Sequence, residues 1–200
     1  MITLTEDPSK TIKFDSTAKI EKYLNERVTE LRKLADDNNH ENPYVFMGIS
    51  AIFDLLSYLP YDNTQMNKWK DKNGNDKVSE RYKQFLKDYV FDGIQPKFSV
   101  PLNELFYKRV RCGLDHAFST HDNKSTCRVL LSHEQTSIEE VNLQNADGTI
   151  EHGVLFTACD MVTLLEKSIQ NIFKLVNSGK IRHSIIDRFK DKKPLSKFYI

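Results

Sequence analysis

Between residues 15 and 36, apolar side chains return at every third or fourth position: Ile20, Leu24, Val28, Leu31 and Leu34, with charges between them. A repeat near 3.6 residues gathers these on one side of a helix, so the pattern predicts an amphipathic helix. Asp15 or Ser16 supplies its start, because a side-chain oxygen there accepts from the unpaired N–H groups of the first turn. The run Asp36-Asp37-Asn38-Asn39 marks its end. A second helix is expected from Pro43, a favourable first-turn residue, to Leu59, where Pro60 stops it. This stretch is apolar on most sides, which makes it the central and most buried helix. Residues 61 to 76 are polar and hold Asn73-Gly74, the composition of a loop.

A shorter helix is expected over about Asp76 to Tyr89, with Val78, Tyr82, Phe85, Leu86 and Tyr89 turned inward. Gly93 to Val100 connects it to a fourth helix, which starts at Pro101 and runs to about Phe118 along Leu102, Leu105, Phe106, Val110, Leu114 and Ala117. The texture then changes. Arg128 to His133, Ile138 to Leu143 and Thr149 to Phe156 have strand character, with a hairpin turn at Asn145-Ala146-Asp147-Gly148. A small antiparallel sheet is therefore expected at about residues 126–156, inserted before a last long helix from Ala158 to Asn177 that Gly179 ends. Residues 180–200 alternate basic and apolar side chains, a tail that either docks or frays. The whole reads as a mainly α chain, an up-and-down bundle of about five helices with a β-hairpin insertion, and as one domain over 1–200.

Composition narrows the function classes. Lys plus Arg number 29 against 28 Asp plus Glu, so no global positive field advertises nucleic acid. Contact with RNA would need a local basic patch or a surface assembled from two copies. Met1 to Lys10 has no apolar core of a signal peptide. Tyr44 to Leu59 is interrupted by Gly48, Ser50, Asp54 and Ser57, too short and polar to span a bilayer. Cys112, Cys127 and Cys159 are scattered and odd in number, which fits unpaired thiols in a reducing compartment, the cytoplasm.

The segment richest in chemistry is Leu105-Phe106-Tyr107-Lys108-Arg109-Val110-Arg111-Cys112-Gly113-Leu114-Asp115-His116. It resembles the HEPN superfamily (higher eukaryotes and prokaryotes nucleotide-binding), whose hallmark is an Arg, four to six residues, then a His late in a helix of an all-helical bundle. Arg111 and His116 match that spacing. The wider frame is similar to a group of bacterial HEPN-like proteins, with Phe46-Met47-Gly48-Ile49-Ser50-Ala51-Ile52 as an early apolar helix and Arg81-Tyr82-Lys83-Gln84-Phe85-Leu86 as a second, aromatic one. The likeness extends over roughly residues 15–177, and its specific part is the six residues from Arg111 to His116.

The resemblance implies metal-independent cleavage of single-stranded RNA. An imidazole titrates near neutral pH, so His116 could take the proton of an attacking 2′-hydroxyl or give one to the leaving oxygen. A guanidinium at Arg111 could hold the phosphate through two N–H groups and stabilise its growing charge. Five positions of an ideal helix turn through about 140°, so the pair does not share one side. Family members answer this by dimerising, with two motifs lining one cleft, and Gly113 would permit close helix approach. Tyr107, Lys108, Arg109, Cys112 and Asp115 are the supporting neighbours. Cys112 stands where many active members carry Asn, His or Asp. The family setting implies a toxin or phage-defence role and an antitoxin partner.

Plainer readings stand beside these. Arg111 and Asp115, four apart, could form a surface ion pair worth about a few tenths of a kcal/mol, and His116 could be a core or interface histidine. Cys112 and His116 also lie four apart, a Cys/His pair for which nothing supplies an oxyanion hole. The rival to the nuclease is a non-catalytic RNA- or nucleotide-binding module or protein-interaction scaffold. Lys108, Arg109, Arg111 and Arg128 could form a basic patch, with Phe106, Tyr107 and Phe118 as stacking surfaces or as core. Lys180, Arg182, His183, Arg188, Lys190, Lys192 and Lys193 could follow a phosphate backbone or simply face solvent. His121, His133 and His152 lie beside the strands without zinc-ligand spacing, so neither metal nor cofactor is expected. Gly-rich phosphate loops, paired-carboxylate motifs and a serine elbow are absent from the sequence.

Overall fold

The computed structural model describes residues 14–36, 43–113, 127–132 and 137–191. Helix α1 (Thr17–Asp36) begins where Ser16 accepts from the Lys19 N–H at 3.3 Å, and it buries Ile20, Leu24, Val28, Leu31 and Ala35. Helix α2 (Pro43–Leu56) buries Val45, Phe46, Ile49, Ile52, Phe53, Leu55 and Leu56, as expected of the most apolar segment. The two lie close at Gly48, where a Cβ would stand 2.7 Å from Leu31 Cδ2.

One helix went unread in the sequence. Asn63–Lys68 forms α3 inside the stretch expected to be loop. Its cause is local: Asp62 accepts from the Gln65 N–H at 2.8 Å, and the Gln65 side chain accepts from the Asp62 N–H at 2.9 Å. This reciprocal box satisfies two N–H groups that a short helix otherwise leaves unpaired.

Helix α4 (Val78–Phe85) continues as a π-helical stretch, Leu86–Val90, and α5 (Leu102–Leu105) continues as a second, Phe106–Arg111. In such turns the N–H reaches back five residues, as Cys112 N–H does to Tyr107 O. Phe106 and Val110 both stay inward and fully buried. The Phe106 ring lies 6.0 Å from Phe53, 6.0 Å from Phe91 and 5.5 Å from Phe156, edge to face in each case. Such pairs each add about 0.5–1.5 kcal/mol to the burial of the rings. Phe106 is therefore core and not a stacking surface for bases.

The sheet departs from the antiparallel one expected. Its strand order is β1-β3-β2, with β1 (Cys127–Ser132) parallel to β3 (Ile150–Thr157) and β2 (Glu139–Gln144) antiparallel to β3. Strand β3 carries buried Val154 and Phe156 and takes the central place. Parallel pairing sets Val129 beside Val154 and Leu131 beside Phe156, on the side turned to the helices. The β2–β3 hairpin turns where expected: Gly148 adopts φ 82°, open to glycine, and Asn145 N–H donates to Thr149 O at 2.8 Å.

Helix α6 (Ala158–Asn177) follows β3 without a loop and packs on α1, α2 and the π-helical end of α4. Its Asp160 carboxylate accepts from the Ile138 N–H at 2.9 Å, tying the entry of β2 to the first turn of α6. Gly179, at φ 71°, ends the helix, and Lys180 N–H returns to Leu175 O at 3.0 Å. Among the described residues no helix is long and apolar enough to cross a membrane.

Helix α7 (Ile185–Asp191) docks the tail. Ile185 and Phe189 are buried, and the Phe189 ring meets Phe14 at 4.7 Å. Two of the basic side chains expected to face solvent or phosphate have another task. His183 Nε2 donates to Leu59 O at 2.6 Å; Arg188 donates to Tyr58 O at 2.7 Å, to Tyr61 O and to Asn63 Oδ1 at 2.9 Å. The last carbonyls after α2 have no partner within the helix, and these donors satisfy them. Burial, followed by the charge of Arg188, holds the His183 imidazole below its usual 6.5 despite the Leu59 carbonyl. A histidine with a lowered folded pKa gives its full stability above the unfolded value of about 6.5 and loses it as pH falls from there through the lower folded one. The melting temperature should therefore fall between pH 7.5 and 5.5, and His183→Gln should flatten that part of the decline.

Candidate polar site on helices α2, α4 and α5

The sequence placed its chemistry on residues 107–116. Of these, Tyr107, Lys108, Arg109, Arg111 and Cys112 belong to the described structure, whereas Asp115 and His116 lie outside it, as does Phe118. No pairing of Arg111 with either is therefore described.

Arg111 ends the π-helical stretch with its side chain only 20% exposed. Its guanidinium carbon lies 5.5 Å from the Tyr107 ring centre and 5.6 Å from that of Tyr82, and its Nη2 is 3.5 Å from Asp54 Oδ2. Tyr107 and Arg111 are four apart, and the wide turn keeps them together. Two aromatic faces and one carboxylate thus fix the plane and direction of a cation that would otherwise sweep many rotamers.

Asp54 belongs to a second, more deeply buried set. Its other oxygen, Oδ1, accepts from Arg81 Nη2 at 2.9 Å. The Arg81 side chain is 1% exposed. Its Nε donates to Ser57 Oγ at 2.9 Å, its Nη1 stands 3.8 Å from Asp76, and its guanidinium carbon lies 3.2 Å from the centre of the Tyr58 ring. Ser57 in turn donates to Asp54 O at 2.5 Å. A buried guanidinium is tolerated only when its donors and charge are answered, and here α2, the turn that follows it and the segment before α4 answer them.

Asp54, Ser57 and Arg81 were not among the residues singled out from the sequence. Their signal was present. Asp54 and Ser57 interrupt an otherwise apolar helix, and a polar residue in a buried helix needs a partner. Arg81 opens the Arg81-Tyr82 segment, where Tyr82 is fully buried and its hydroxyl reaches Ser50 Oγ at 3.0 Å.

Tyr107 is half-buried. Burial first, then a hydrogen bond and charge interaction with Cys112, raises its hydroxyl above the usual value of 10.0, against the opposing charge of Arg111 and a bond to Ser79. The phenol is accordingly protonated at neutral pH.

The expected basic patch divides. Lys108 pairs with Glu104 at 3.7 Å, Arg111 with Asp54, and Arg128 with Glu151 at 2.5 Å, while Arg109 acts electrostatically on Cys127. Burial pushes the Cys127 thiol up, so it is a poor nucleophile at rest. Elsewhere, His152 Nε2 stands 3.6 Å from Glu140, whose carboxylate accepts from Ser99 N–H and Oγ. No group of three or more ligating side chains among the described residues could hold a metal ion. A shallow open groove of about 460 Å³ runs along Glu21, Lys22, Asn25 and Glu26 of α1, and none of the polar-site residues lines it.

Comparison with known proteins gives no family: no family model, no curated protein and no solved structure matches the chain.

Proposed function

We propose that the chain is a metal-independent endoribonuclease of HEPN type acting on single-stranded RNA, with Arg111 and His116 as its reacting pair. The observation that carries this reading is the presetting of Arg111, held against the adjoining faces of Tyr82 and Tyr107 and aimed by Asp54 before any ligand arrives. An arginine left merely to solvate a helix surface needs no such frame. Preorganised cations of this kind stabilise charge that develops on a phosphate, because no reorganisation is needed at the moment of reaction.

In this mechanism His116 takes the proton of the 2′-hydroxyl, and that oxygen attacks the adjacent phosphorus. The bond to the 5′-oxygen breaks, and the leaving oxygen takes a proton from the imidazolium of His116, which returns to its neutral form. One fragment ends in a 2′,3′-cyclic phosphate and the other begins with a 5′-hydroxyl. Arg111 neutralises the equatorial oxygens through the transition state. Tyr107, protonated beside it, serves as a hydroxyl donor. Two copies of the chain would bring two such motifs to one cleft, and the HEPN-like bundle, the homodimer and an antitoxin partner in a toxin or defence setting all belong to this proposal.

A second reading has its own observation. Arg111 already faces a carboxylate, and the Asp54–Arg111 pair could serve cohesion alone, leaving a non-catalytic RNA-binding module or interaction scaffold. Cleavage of a mixed single-stranded RNA in EDTA by wild type, Arg111→Ala and His116→Ala separates the two. The nuclease reading expects cutting by the wild type that both substitutions lower by roughly a hundredfold or more; intact RNA throughout, or equal cutting by all three, rejects it.

A further inference from the structure

Resting on the nuclease reading, we infer that Asp54, anchored from behind by Arg81, is the positioning residue that sets the guanidinium of Arg111 for the phosphate. The carboxylate is shared. Oδ1 is taken by buried Arg81 at 2.9 Å, and Oδ2 faces Arg111 at 3.5 Å. Were Arg111 the sole partner, the two could close a bidentate pair and leave the cation fully neutralised. Arg81 prevents that by holding one oxygen.

The anchor is rigid. Arg81 is fixed by Ser57 Oγ at 2.9 Å, by Asp76 at 3.8 Å and by the Tyr58 ring beneath it, and the backbone carbonyl of Asp54 accepts from Ser57. Asp54, itself 30% exposed, is therefore held from the core side by a buried cation. Arg111 and Asp54 are 20% and 30% exposed, so both border solvent, whereas Arg81 behind them is 1% exposed. Position passes in one direction: the core sets Arg81, Arg81 sets Asp54, and Asp54 with two tyrosine faces sets Arg111. Asp54 touches no substrate in this scheme.

The same geometry would exist if Asp54 served cohesion only, so the test must read more than stability. Full-length wild type, Asp54→Asn, Asp54→Glu, Arg111→Ala and the Asp54→Asn/Arg111→Ala double variant are compared for kcat and KM on single-stranded RNA in EDTA, with urea unfolding in parallel. Asp54→Glu keeps a carboxylate for Arg81, and so the fold, but moves its oxygens by one methylene. Displacements of about 1 Å remote from the chemistry can lower rates by roughly a hundredfold. Both single Asp54 variants are expected to lower kcat by about tenfold or more while KM changes far less. In the Arg111→Ala background Asp54→Asn should cost nothing further, the mark of two residues acting as one unit. If the wild type cuts and both Asp54 variants turn over at its rate, positioning is overturned while the nuclease stands. An equal loss with and without Arg111 overturns it as well, because the effect then passes through the fold. Failure of the wild type to cut overturns the nuclease reading and this inference with it.

Discussion

Arg81→Met is expected to lower the unfolding free energy by about 3 kcal/mol, the lower part of the range for removing one member of a buried charged set. Met replaces the volume but none of the donors. Ser57 loses the guanidinium that donates to it, and Asp54 and Asp76 lose their buried counter-charge. Those carboxylates are 30% and 33% exposed and keep some water, which is why the larger figures of that range do not apply. Urea unfolding checks the value. Arg32→Met is the contrast: Arg32 meets Glu166 at 2.8 Å, but the pair is 37% and 43% exposed. Exposed pairs contribute about 0–1 kcal/mol. Equal losses in the two variants would show that Arg81 is not the keystone of the α2–α4 contact.

Arg111→Ala is expected to act the other way round, leaving stability within about 1 kcal/mol because its ion pair is long and partly exposed. On the nuclease reading, RNA cleavage should fall by roughly a hundredfold to a thousandfold, the cost of losing one preset donor to a developing anion. Arg111→Lys should not restore it, since an ammonium has no planar fork for a phosphate and stacks less well against the two tyrosines. A rate for Arg111→Lys equal to wild type would mean that charge alone matters at this position and that the aromatic frame does not.

Much of the fold was legible in the sequence because the rules concerned are local. Ser16, Pro43, Asn145 to Gly148 and Gly179 act where they stand, and the helix and hairpin ends fall close to the expected positions. Even the unread α3 followed a local rule, the Asp62–Gln65 box. Long-range pairing was the harder part. Nothing in Arg128 to Ser132 tells that this strand runs parallel to β3, because that is settled by which strand owns the centre of the sheet. The tail shows the same limit: its basic residues look like a phosphate-following surface until the open carbonyls of Tyr58, Leu59 and Tyr61 are brought beside them.

The candidate site divides along the same line. Arg111 was found from its spacing to His116, and Tyr107 and Cys112 from their adjacency to it. Asp54 and Arg81 were passed over because Asp54 lies 57 residues before Arg111 and 27 residues before Arg81 in the chain. Only packing of α2 against α4 and α5 makes them one cluster. Asp54 was in view as a reason why α2 could not span a membrane. The same physics, a charge in an apolar helix, equally demands a cationic partner.

The most direct measurement is the chemistry of the cut ends. A short single-stranded RNA and its copy carrying 2′-deoxy at every position are incubated with the protein in EDTA, and the products are weighed by mass spectrometry. The account predicts 2′,3′-cyclic phosphate and 5′-hydroxyl ends from the RNA, an intact deoxy copy, and products lowered by roughly a hundredfold or more with Arg111→Ala. Intact RNA, cutting of the deoxy copy, or cutting at the wild-type rate without Arg111 would contradict it.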